Sequence, residues 1–135
     1  LSRAIDKAAS VLTCDGTASG AKARDFADAV IAVANANHAL AIPAGLAFAE
    51  AEKFAPDIAL TISDKRHPTP EGSYLLAAVI LESVFGINAR RVSEDCGLTP
   101  ETAMILREIA HKTAVRFFDR PLQSPSQNRV SARKA

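Results

Sequence analysis

Asp64-Lys65-Arg66-His67-Pro68 is the one dense polar cluster in an otherwise aliphatic stretch of the chain. An aspartate three residues before a histidine can, on a tight loop, reach the imidazole from the side. Its carboxylate would accept a hydrogen bond from one ring nitrogen and leave the other free as a base. That arrangement fixes the tautomer and stabilises the imidazolium formed when a serine hydroxyl gives up its proton. The same spacing also suits an aspartate that merely caps a turn, so both roles stay open. Two serines lie close in sequence, Ser63 before the aspartate and Ser73 beyond the histidine. Neither follows a strand in an elbow such as G-x-S-x-G, the usual setting of a nucleophile. Lys65 and Arg66 are either contacts for an anionic substrate group or solvated loop charges. His38 and His111 read as structural or solvated, and the three histidines with Asp64 have no metal-ligand spacing. Cys14 and Cys96 form no C-x-x-C pair and lack a local histidine that would mark a reactive thiol. No metal and no cofactor are expected.

The cluster must be held by its flanking elements. Before it, Ile58 to Ile62 is a short apolar run that reads as a strand entering a loop. After it, Thr69-Pro70-Glu71 carries a helix start: an N-cap threonine, proline at the first helical position and an acid near the positive end of the dipole. This helix is expected to reach Phe85, with Leu75, Leu76, Val79, Ile80 and Val84 inward and Gly86 as its stop. Thr99-Pro100-Glu101 repeats the start signal for a last helix to Phe118, with Met104, Leu106, Ile109, Ala110 and Ala114 as core positions. Upstream, Phe26, Val30 and Val33 recur at helical spacing and predict a helix over residues 21–37. His38-Ala-Leu-Ala-Ile42, closed by Pro43 and Gly45, predicts a buried strand, and residues 46–54 a further helix. Residues 1–10 suit a short helix and 13–20 a loop.

The order helix, strand, helix, strand, helix, helix belongs to an α/β layer protein. Two short parallel strands bury their faces poorly without partners, so further strands are expected from an N-terminal segment or a second chain. Residues 1–120 read as one α/β unit and 121–135 as a polar basic tail without periodicity, expected to be disordered. The first residue is Leu1, which suggests a processed or truncated product. A net charge of +1 gives no field to attract nucleic acid or a membrane surface, and no apolar run approaches the roughly 18–20 residues of a spanning helix.

The block from Asp64 to Ala78 (DKRHPTPEGSYLLAA) resembles the last conserved block of SGNH (GDSL-type) hydrolases, in which D-x-x-H-P precedes a G-x-Y-L-x-A helix start. Ile42-Pro43-Ala44-Gly45 is similar to the I/V-P-x-G strand end of that family, and the stretch from Gly97 to Ala110 to its closing helix. The resemblance spans about Asp25 to Phe118. It implies a flavodoxin-like three-layer α/β/α sandwich, here only the C-terminal part of it. It also implies a serine esterase or acyl hydrolase, with His67 as general base and Asp64 as the group that orients it. A small ester or acylated-carbohydrate substrate would follow. The family's G-D-S-like nucleophile motif and its G-x-N-D-like oxyanion segment have no counterpart here; Asn35, Asn37 and Asn88 lie in other contexts. The chain would thus supply the base and its orienter, while the serine would come from elsewhere. The alternative is a non-catalytic α/β binding or interaction module that keeps the D-x-x-H loop for structural reasons.

Overall fold

A computed structural model describes residues 11–12 and 20–118. The element order is β1 (Val11–Leu12), α1 (Gly20–Ala36), β2 (Ala41–Ile42), α2 (Ala44–Phe54), α3 (Pro70–Phe85) and α4 (Pro100–Phe118), with a 3-10 turn at Ala89–Arg91 between the last two helices. The described part is mostly helical. Its sheet is a two-residue parallel pairing in which Val11 faces Ala41 and Leu12 faces Ile42. The two parallel strands lie on either side of α1 in the chain, as parallel pairing requires a crossover connection.

The strands are shorter than the sequence suggests. His38 has a φ of 52° and Asn37 still donates to α1 carbonyls, so the chain turns there and extends only at Ala41. The run from Ile58 to Ile62 contributes a single antiparallel bridge, Thr61 with Pro68, and no ladder. A strand needs a partner to hydrogen-bond to, and periodicity cannot report whether one is present. Val11–Leu12 was not foreseen as a strand, being a lone apolar pair next to a Gly/Ser/Thr-rich stretch. The short helix expected over 1–10 and the tail 121–135 lie outside the described residues. So does the loop of 13–20, except for Gly20, which opens α1, and so does the side chain of Phe26.

The core is built from alanines and a few larger aliphatics. Ala44, Ala47, Phe48 and Ala51 of α2 pack with Leu75, Ala78 and Val79 of α3 and Leu106, Ile109 and Ala110 of α4, together with Ile42 and Leu60. Alanine lets helices approach closely, and here it lines α2 and α4 where they meet α3. One expected core residue, and one residue of the apolar repeat of α1, lie elsewhere. Met104 is 60% exposed, because the buried stripe of α4 runs through Ala103, Leu106, Ala110 and Ala114, and position 104 lies about 100° round from 103. Val33 is 53% exposed, while the adjoining Ala34 is buried. No helix among the described residues is long and apolar enough to cross a membrane.

Candidate active-site loop

The loop between Thr61 and Pro68 is pinned at its base and shaped from within. Leu60 and Ile62 anchor it: Thr69 N–H donates to Leu60 O (2.9 Å), Ile62 N–H to His67 O (2.9 Å) and Lys65 N–H to Ile62 O (3.0 Å). Thr69 performs two tasks. Its Oγ1 caps α3 by accepting from Gly72 N–H (3.0 Å) and donates to Ala59 O (2.7 Å), which ties the helix start to the incoming segment. Gly72 permits this contact. A Cβ there would lie 2.0 Å from Leu60 O and 3.2 Å from the Pro68 Cβ, so only glycine lets the first turn of α3 rest on the 59–61 backbone.

Asp64 divides its two oxygens between the turn and the imidazole. Oδ1 accepts from the backbone N–H groups of Arg66 (2.9 Å) and His67 (3.0 Å), which closes the turn. Oδ2 lies 2.5 Å from His67 Nδ1. The roles left open by the spacing, turn cap and imidazole partner, are therefore held at once. His67's hydrogen bond, followed by those from the two amides, lowers the Asp64 carboxyl from 3.8 to about 2. It is ionised at neutral pH and has no proton to give, so Nδ1–H donates, and in the neutral form of the ring the lone pair is left on Nε2. Among the described residues Nε2 has no hydrogen-bond partner, and neither Ser63 nor Ser73 brings its hydroxyl to it. Both serines are exposed, and Ser73 is an early α3 residue whose N–H bonds Thr69 O. The side chains of His67 and Asp64 are 75% and 40% exposed, so the dyad lies open on the surface.

Other polar groups, scattered in sequence, fix the helix that follows the loop. Tyr74 OH donates to Glu94 O (2.8 Å) and accepts from Arg107 Nη1 (3.0 Å), which also pairs with Asp95 Oδ1 (3.0 Å). This network joins α3, the 92–99 loop and α4. Glu82 Oε1 accepts from Ala89 N–H (2.6 Å) and lies 2.9 Å from His111 Nδ1. His111 is thus a structural link between α3 and α4, and His38 is exposed. Sequence reasoning missed both networks, whose members are 7 to 33 residues apart. The only local hint was the block tyrosine, Tyr74. Cys96 is a free, exposed thiol. Among the described residues no three His, Cys, Asp or Glu side chains are grouped to hold a metal ion.

No family model, curated protein or solved structure matches the chain.

Proposed function

We propose that this chain supplies the base half of a serine ester or acyl hydrolase of SGNH type, the serine nucleophile and its oxyanion donors coming from sequence outside these 135 residues. The observation that carries the reading is the Asp64–His67 pair, with Oδ2 on Nδ1 and a free Nε2 on a loop pinned at both ends. In such a site Nε2 takes the serine proton as Oγ attacks the acyl carbon. Asp64 stabilises the imidazolium, which then gives the proton to the departing alkoxide. Water repeats the cycle to release the acid. The exposure of the dyad fits a site that is finished by another segment or chain, since acyl transfer needs water excluded and an oxyanion held. The parallel β1–β2 unit is compatible with one edge of a three-layer α/β/α sandwich, whose remaining strands that segment would add.

A non-catalytic module is the second reading, and one observation favours it: Asp64 Oδ1 alone closes the turn, a job that requires no chemistry. Hydrolysis of p-nitrophenyl acetate separates the two, measured on the 135-residue chain and on the full translated product of its gene, each beside His67→Ala. Turnover by the full product that His67→Ala abolishes supports the hydrolase. Turnover by neither, or turnover indifferent to His67, overturns it. Turnover by the 135 residues alone places the nucleophile within them, and Ser63 and Ser73 become the residues to replace.

A further inference from the structure

Half of the lysines and arginines among residues 27–118 meet a carboxylate. Arg90 and Lys112 pair with Glu108, Arg107 with Asp95 and Arg116 with Glu50, while Lys53 lies over the Phe54 ring. Lys65 and Arg66 differ. Their amides are bonded within the loop, but neither side chain meets a carboxylate among the described residues. Arg91, on the 3-10 turn, is the other arginine without a carboxylate partner among the described residues 27–118.

Asp64 is poorly placed to match them, because its oxygens already serve the imidazole and two amides. Glu71 is the only other acid between residues 58 and 81, and it lies in the first turn of α3, where it complements the helix dipole. Lys65 also occupies a left-handed backbone conformation, φ 60°. Glycine or asparagine takes that conformation more cheaply. The loop therefore carries two exposed, unmatched cations within two residues of His67, whose Nε2 has no partner among the described residues.

We propose that Lys65 and Arg66 form an anion-recognition pair, selecting substrates that carry a carboxylate, phosphate or sulfate close to the acyl group presented to His67. The inference rests on the hydrolase reading above and names its substrate class. Arg66 offers a planar two-pronged donor and Lys65 a mobile point charge, a combination suited to an oxyanion of either planar or tetrahedral shape.

The test uses the 135-residue chain and two alkylating probes of similar size, anionic iodoacetate and neutral iodoacetamide, with modification of each histidine followed by peptide mass spectrometry. Exposed His38 is the internal reference. At low ionic strength the iodoacetate-to-iodoacetamide rate ratio at His67 should exceed that at His38 by roughly threefold to tenfold, and added salt should erode the difference. Lys65→Asn with Arg66→Gln should bring the two ratios together, and asparagine suits the positive φ, so the loop keeps its shape. An unchanged ratio in that double variant would overturn the proposal. If acetate, inorganic phosphate and sulfate all fail to slow iodoacetate at His67 beyond chloride at matched ionic strength, the cations are solvated charges and the proposal also falls. The anion that slows it most identifies the substrate's charged group. Failure of the dyad itself reads differently: neutral iodoacetamide would then alkylate His67 at the same rate in Asp64→Ala as in the parent.

Discussion

Replacing Gly72 with alanine should unseat the candidate active-site loop from a position outside the Asp64–His67 pair. The added Cβ would sit 2.0 Å from Leu60 O and 3.0 Å from Leu60 C. Both are backbone atoms, so no side chain can swing aside, and helix and segment must part by about 1.4 Å to bring the 2.0 Å approach to ordinary contact. That movement strains the Thr69 N–H bond to Leu60 O and the Thr69 hydroxyl bond to Ala59 O. Overpacking of this kind costs about 1–3 kcal/mol. Each weakened hydrogen bond adds about 1 kcal/mol. Alanine's better helix propensity returns up to about 1 kcal/mol. The balance is a loss of roughly 2–4 kcal/mol, or a fall in Tm of about 10–20 °C for a domain of this size. Gly86→Ala is the control: φ is +66° but nothing lies within 4 Å of the new Cβ, so only backbone strain of about 1 kcal/mol applies. Urea denaturation of both variants decides the matter. If Gly72→Ala is as stable as the parent, or loses no more than Gly86→Ala, the close approach that seats α3 on the loop is wrong.

Acid should open the loop before it unfolds the helices. The folded pKa of Asp64 is depressed, so its contribution is present above the ordinary 3.8 and is lost as pH falls through about 2; hydrogen-exchange protection of the Arg66 and His67 amides should fade across that window while α3 and α4 amides persist. Glu82→Ala should cost about 1–3 kcal/mol by chemical denaturation, since Ala89 N–H and His111 Nδ1 both lose their acceptor; Glu82→Gln, whose carbonyl oxygen can take the place of the Oε1 that serves both, should cost less.

Signals carried within a few residues were legible in the sequence. Thr69 caps α3 with proline behind it, Thr99 Oγ1 accepts from Thr102 N–H (3.2 Å) at the start of α4, and Gly86 ends α3 in the left-handed conformation. Asp64 and His67 come together because only two residues separate them, a distance one side chain can bridge across the turn. What depends on distant partners was not legible. The run 58–62 has the composition of a strand but makes one bridge, while Val11–Leu12 has almost no local signature and pairs with β2. Met104 is as apolar as its neighbours, and only the path of α3 decides that the stripe of α4 passes through Ala103 instead. Gly72 stood in the recognised block, yet its need for glycine comes from the carbonyl of Leu60 twelve residues earlier.

The two oxygens of Asp64 also make the shape of this loop and the state of its imidazole separable by a single atom. An asparagine could keep its carbonyl oxygen on the Arg66 and His67 amides, so the turn would close as before. Its amide nitrogen would then face His67 Nδ1 as a donor, driving the ring proton to Nε2 and turning the base into a hydrogen-bond donor. Divergence can therefore silence such a site without disturbing the scaffold around it, and a relative bearing N-x-x-H in place of D-x-x-H would be an intact fold with its proton acceptor switched off.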